Sequence, residues 1–202
     1  MVDQDYLELL KTDVIQWNKW RNYAGKISLD LREVNLSNSN LMNADLRDVN
    51  LSHANLIGSD LRGVNLCKAD LSYANLIGTN LRLANLKYAI LIGSKLHRTN
   101  LSEADLTEAN LNEADLSYAN LYETELTGAY LYKTNLSFAN LIDTHLIKSY
   151  LFGANFSNSL LQEVDLRWAN VIKANFTGAK LIKVKLTGTK IDNLTTPQDL
   201  EG

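Results

Sequence analysis

Leucine returns at every fifth position from Leu31 to Leu186, and the series closes on Ile191 with no insertion to break its register. Its 33 positions hold 29 Leu, two Phe (Phe156 and Phe176), Val171 and Ile191. Two residues before each stands a small or modest side chain: 16 Ala, six Thr, five Ser, five Val and one Leu. The residue directly before the central one is Asn or Asp in 23 of the 33 units. The unit reads A-[ND]-L-x-x, as in Ala104-Asp105-Leu106 and Ala119-Asn120-Leu121.

A period of five does not suit an α-helix. At about 100° per residue each leucine would lie roughly 140° from the last, and the apolar stripe would smear over every face. In an extended segment, residues two apart share one side, so the small residue and the leucine point inward together while the Asn points away. The remaining two residues must turn a corner and reset the alternation. Eight of the ten glycines fall two residues after the central position, where they support such a corner. Short extended pieces joined by regular corners make a coil, and stacked coils make a solenoid.

The A-[ND]-L-x-x array over residues 29–193 resembles the pentapeptide-repeat family, which is especially numerous in cyanobacteria. The resemblance implies an all-β fold, a right-handed quadrilateral β-helix with four pentapeptides per coil and residues twenty apart stacked in columns. Thirty-three units then give about eight coils, a rod about 40 Å long at roughly 4.8 Å per coil. Inner Ser and Thr, such as Thr124, Thr134 and Thr144, are expected to hydrogen-bond to nearby backbone.

A solenoid needs its ends covered, since an open end exposes core and unpaired strand edge. Residues 1–28 read as a helical cap. Asp3 is placed to start a short helix running through Leu10, and Thr12 or Asp13 a second; Val14, Ile15, Trp17 and Trp20 supply its apolar side, and Gly25 stops it. A partner-binding helix is the alternative reading. The β-helix is expected over 29–193, and 194–202 reads as a frayed tail that leaves the end to be covered by another subunit.

Composition narrows the function classes. The net charge of −3 lacks the basic excess of a general nucleic-acid-binding surface, so no direct nucleic-acid contact is expected. The single Cys67 cannot form an intramolecular disulfide. Neither a secretory h-region nor a run of 18 apolar residues is found, and the expected compartment is the cytoplasm. Asn-Leu-Ser sequences such as Asn100-Leu101-Ser102 match the glycosylation pattern, but the repeat grammar itself generates them. His53, His97 and His145 fall in distant coils without metal-ligand spacing, and no phosphate-binding loop occurs. A non-enzymatic protein without cofactors is the expectation.

Chemistry must therefore lie on the outer faces. Charge is banded: residues 62–98 hold six basic residues and one acid, residues 99–132 seven acids and no Lys or Arg, and residues 166–191 six basic residues and no acid. Residues twenty apart give one acidic column, Glu103, Glu123, Asp143 and Glu163, and across the same corner a second, Asp105, Glu125, His145 and Asp165. Stacked like charges repel and the fold gains nothing obvious from them, so this edge is a candidate for a basic partner surface or, second, a divalent cation. The other candidate is apolar. Tyr130 and Tyr150 replace the usual Asn or Asp, and Tyr132, Phe152 and Ile172 are expected to stack beside them as an interface for self-association or another protein.

The family resemblance implies a protein-interaction module, like cyanobacterial members that regulate cell differentiation by contacting another protein. Other members act on DNA gyrase as acidic, duplex-like rods, typically dimers joined at one end. This chain departs from that design, since its acids are confined to the middle and flanked by basic bands.

Overall fold

The computed structural model describes residues 4–24 and 29–192. The expected cap at Asp3, the stop at Gly25 and the tail over 194–202 lie outside the described residues. Two helices, α1 (Gln4–Thr12) and α2 (Val14–Ala24), precede the repeats.

From Asp30 onward the chain winds as a quadrilateral β-helix. Parallel bridges join residue n to residue n+20, from Asp30 with Asn50 up to Asn170 with Lys190, so each coil takes twenty residues and each unit of five makes one side. Most contacts are single-residue bridges. Only β1 (Leu160–Gln162) and β2 (Lys180–Ile182) lengthen into strands, with Leu161 opposite Leu181. Three hydrogen bonds recur on every side. Leu31 N donates to Asn50 O at 2.7 Å, Glu33 N to Ser52 O at 3.0 Å, and Asn50 N downward to Leu29 O at 2.9 Å.

The corners explain the sequence grammar. The N–H three residues after each centre, the first of the next unit, closes a turn on the central carbonyl, as Ala44 N does on Leu41 O at 3.0 Å. The residue two after the centre takes a left-handed conformation, and 24 non-glycine residues join eight glycines in doing so. Glycine is therefore a minority solution to the corner. The left-handed cost, about 1–3 kcal/mol per non-Gly residue, is offset locally by hydrogen bonds. One is the corner residue's own bond to the coil above. Another comes from the Asn or Asp before the centre, whose Oδ1 accepts from the N–H two residues on, as in Ser102 N to Asn100 Oδ1 at 3.1 Å. These outward amides also bond to one another up the rod: Asn120 Nδ2 donates to Asn100 at 3.3 Å and Asn140 Nδ2 to Asn120 at 3.0 Å.

Inside, the leucine columns and the Ala columns are sealed: Leu86, Leu106 and Leu126 stack at 0% exposure. The inner threonines behave as expected. Thr124, Thr134 and Thr144 donate to Leu101 O, Leu111 O and Leu121 O at 2.9, 2.8 and 2.7 Å, each reaching a carbonyl one coil below.

The helices close the lower end. Asp13, not Thr12, caps α2 by accepting from Gln16 N at 3.0 Å, while Thr12 bonds back to Glu8 O. Trp17 is fully buried, with Val14 and Trp20 packed beside the core. Ile15, expected on the apolar side, is 70% exposed. The inward stripe runs through positions 14, 17, 18 and 21, the i, i+3, i+4, i+7 spacing of one helix face, and Ile15 falls off it. Three residues of that stripe supply what a lower coil would: Asp45 N donates to Asn18 Oδ1 at 2.8 Å, and Asp45 O and Arg47 O accept from Trp17 Nε1 and Arg21 Nη2. No helix among the described residues is long and apolar enough to cross a membrane.

Candidate functional site

The candidate residues fall on two neighbouring parts of the upper rod. On one side the outward columns bring Tyr130 and Tyr150 into a parallel stack, with centroids 4.8 Å apart and planes within 4°. Beside them Tyr132 and Phe152 stack at 6.0 Å. The cause is local: these residues sit in adjacent outward columns, and one coil separates each from the next. Tyr130, Tyr132 and Tyr150 are exposed and Phe152 half-buried, so the expected patch is formed. Three lysines and a tryptophan that sequence reasoning did not assign border it. Lys133 Nζ lies over the Tyr132 ring at 5.1 Å and Lys173 Nζ over Phe152 at 5.3 Å. Lys148 and Trp168 occupy the corner column leading into this side, and Trp168 is 60% exposed. The signal was available, because all four follow from counting twenty from a neighbour.

The acidic corner differs from its expected form. Six of its eight side chains are engaged in ion pairs or local clamps within the fold. Arg82 pairs with Glu103 at 2.7 Å, Lys87 with Asp105 at 2.9 Å, Lys183 with Glu163 at 3.1 Å, and Arg167 with Asp165 at 2.7 Å, while His145 Nδ1 stands 3.1 Å from Glu125. The basic bands on either side thus reach into the acidic one. Asp165 is 2% exposed, and its Arg167 hydrogen bonds hold the carboxyl below the usual range. Burial pushes Asp105 up, but hydrogen bonds from Thr107 and Lys87 outweigh it and its carboxyl also falls below the usual range. Glu123 accepts from the Tyr122 hydroxyl, and Asp143 has no side-chain partner among the described residues. The expectation that the fold gains nothing from these acids is corrected: only Glu123, Glu125 and Asp143 lack a Lys or Arg. The cation alternative also fails on geometry. Among the described residues no three His, Cys, Asp or Glu side chains stand close enough to hold a metal ion.

Asp165 belongs to a motif that recurs. Asp30-Leu31-Arg32, Asp45-Leu46-Arg47 and Asp60-Leu61-Arg62 make the same clamp, each Asp binding the Arg two residues on, at 2.7, 2.6 and 2.6 Å. Elsewhere, His97 Nδ1 lies 2.8 Å from Ser117 Oγ, with no carboxylate on its other ring nitrogen among the described residues, and His53 stacks on Tyr73. A cleft of about 510 Å³ opens where the helices meet the first coil, lined by Lys11, Asp13, Val14, Asn18, Asn40 and Asn43 among others. Its one carboxylate, Asp13, is already the helix cap.

The Pentapeptide repeats family matches the chain in 8 copies, over residues 30–67, 68–102, 94–131, 129–167 and 159–193. The chain belongs to the pentapeptide-repeat family. Among solved structures this pentapeptide-repeat protein is similar to HetL, a member involved in heterocyst differentiation regulation from the cyanobacterium Nostoc sp. strain PCC 7120. The two are 29% identical, with 85% of this chain and 92% of HetL covered and a TM-score of 0.36. Alr5209, another Nostoc pentapeptide-repeat protein, is 35% identical over 50% of this chain and 79% of its own, with a TM-score of 0.32. QnrB1, a plasmid-mediated fluoroquinolone resistance protein, is 19% identical over 83% of this chain and 92% of its own, with a TM-score of 0.42. No curated protein sequence matches the chain.

Proposed function

We propose that this pentapeptide-repeat protein is a non-catalytic scaffold that acts by binding another protein on its outer faces, in a regulatory capacity. The observation that carries this reading is the division between a filled inside and a broken outside. Inner side chains from Leu41 to Val171 meet at or near 0% exposure. Among the described residues the repeat interior is therefore filled, and the ionisable side chains of the repeats lie outside it. On those outer faces the regular Asn and Asp columns give way to exposed Tyr and to carboxylates within a few coils of one another. Contiguous aromatic surface is a feature of protein interfaces.

Action on DNA gyrase as a duplex-like rod draws less support. A phosphate mimic needs a run of unneutralised carboxylates, and Glu103, Asp105, Glu163 and Asp165 are each paired with Lys or Arg.

The test is recovery of a tagged chain, cross-linked in the cells it comes from. The scaffold reading expects one protein to be retained in near-equal amount, and lost when outward residues of the upper coils are replaced without change in melting. Recovery of no protein partner under any cross-linking condition would overturn it.

A further inference from the structure

The aromatic side carries enough detail to say what kind of partner it fits. Its rings present edges, not faces. Tyr130 and Tyr150 cover each other at 4.8 Å, Tyr132 and Phe152 do so at 6.0 Å, and the ammonium groups of Lys133 and Lys173 lie over the second pair. A nucleobase platform needs an open π-face, and here each ring gives one face to its stacked partner, while lysines lie over Tyr132 and Phe152. What is left outward is the positive rim of each ring together with the phenol hydroxyls. The hydroxyls of Tyr130, Tyr132 and Tyr150 have no partner among the described residues, so three O–H donors stand ready for acceptors.

Charge on this side points the same way. Lys133, Lys148 and Lys173 are exposed around the rings, and Lys190 follows one coil above. From Tyr130 up to Lys173, this side and its two flanking corner columns carry no Asp or Glu. Glu108, leaning onto Gly128, borders it below, and Asp192, whose Oδ2 accepts from Lys173 N at 2.9 Å, borders it above. Exposed Trp168 and half-buried Ile172 extend the apolar surface into the third coil. The surface therefore combines apolar area, hydroxyl donors and cations, with carboxylates only at its lower and upper borders.

We infer that this side, from Tyr130 to Lys173, is a docking surface for an acidic polypeptide segment that carries apolar side chains. Carboxylates of the segment meet the lysines and phenol hydroxyls, and its apolar side chains rest on the ring edges and Trp168. The inference rests on the scaffold reading and names the partner chemistry that reading leaves open. Charge complementarity selects this occupant over a nucleic acid, and over a second copy joined through this same side, which would bring lysine against lysine.

The experiment uses the full chain and a labelled short peptide alternating Glu and Leu, with its Lys-for-Glu counterpart and a short oligo-dT as comparisons. Binding is followed by fluorescence anisotropy at low and high salt. The acidic peptide is expected to bind in preference to both comparisons, and to weaken as salt screens the lysines. Tyr150→Ser with Phe152→Ser, and separately Lys133→Glu with Lys173→Glu, should each weaken it roughly tenfold, a loss of about 1.4 kcal/mol. Melting is measured for both variants, and the lysine pair serves if the aromatic pair folds poorly. Equal binding of the Lys peptide, preferential binding of oligo-dT, or unchanged affinity in the lysine variant overturns the inference. So does a parent that elutes as a dimer and an aromatic variant that elutes as a monomer, since the occupant would then be a second copy. If the cellular partner is still recovered by both variants, the scaffold reading stands and this docking surface falls.

Discussion

The ring of Tyr73 lies across Gly93, one coil above it: a methyl group on Gly93 would stand 2.6 Å from Cε1 and 2.7 Å from Cδ1 of the tyrosine. His53 stacks beneath Tyr73 at 5.2 Å, so the pair of rings ends at a glycine that gives the upper ring its seat. Trp168 and Gly188 repeat the relationship at 2.3 Å. Side chains in the corner column lean toward the coil above, and a glycine there makes room for a large one.

Gly93→Ala should therefore cost more than Gly78→Ala, although both glycines have positive φ, 61° and 65°. A methyl on Gly78 would meet nothing within 4 Å, so that variant isolates the backbone cost, about 1 kcal/mol. Gly93→Ala must also push the Tyr73 ring aside. Thermal melting of the two variants decides it, and equal losses would show that the ring moves freely.

Leu106→Lys tests the inward ladder. Leu106 is 0% exposed between Leu86 and Leu126, where an ammonium group would find no partner. Loss of cooperative melting is expected, whereas Leu106→Ala should cost about 2–5 kcal/mol and leave a cooperative transition. A native melt for the lysine variant would refute the inward assignment.

The helical cap is testable at one side chain. Asn18 accepts from Asp45 N at 2.8 Å, where a lower coil's carbonyl would otherwise accept, and donates to Asn43 O at 2.9 Å. Asn18→Ala strands a backbone donor at the end of the ladder and should cost about 1–3 kcal/mol. Hydrogen exchange at Asp45 gives a local readout, because its amide should lose protection before those of the middle coils.

The five-residue period alone made the leucine ladder legible, since no other arrangement keeps those positions on one side. The inner threonines were legible for the same reason: a hydroxyl facing a core has only backbone to bond. Two things were hidden. Left-handed corners at Glu33, Tyr73 or Trp168 carry no residue signature, because the surrounding hydrogen bonds impose the conformation on ordinary side chains. The acidic corner was misread because a column count shows like charges stacked and omits cations that reach in from elsewhere. Arg82 comes 21 residues before Glu103, and Arg167 sits only two after Asp165. The second case had a signal in the Asp-Leu-Arg tripeptide, whose flanking residues lie on the same side of an extended segment.

Those clamps make acid stability predictable. Hydrogen bonding by Arg32 lowers Asp30 to about 2, and Arg167 likewise holds Asp165 below its ordinary value. A depressed folded-state value means the clamp stabilises the fold fully above the unfolded carboxyl range, about 3.9, and loses that contribution as pH falls through the folded value. Arg167→Met should lower the melting temperature at neutral pH. Parent and variant should converge as Asp165 protonates in both. A gap that persists unchanged into strong acid would mean that Arg167 acts by packing and not by charge.

The remaining acids supply the sharpest test of which carboxylates are held for the fold. Glu123 and Asp143 lie in one column, with Glu103 below and Glu163 above, and neither is paired with a Lys or Arg. Their neighbours in the next column are Glu125 and Asp165 on one side of His145 and the other. Reversing both charges turns the two outer contacts, with Glu103 and Glu163, from repulsion to attraction and leaves the central pair like-charged as before. Each exposed pair contributes a few tenths of a kcal/mol, and less at high salt. Glu123→Lys with Asp143→Lys should therefore melt no lower than the parent, and slightly higher at low salt. Glu163→Lys should do the opposite, because it breaks the 3.1 Å pair with Lys183 and sets two lysines one coil apart. If the Glu123 and Asp143 double variant instead melts lower, these two carboxylates serve the fold like their neighbours, and the corner keeps no acid free for a basic partner.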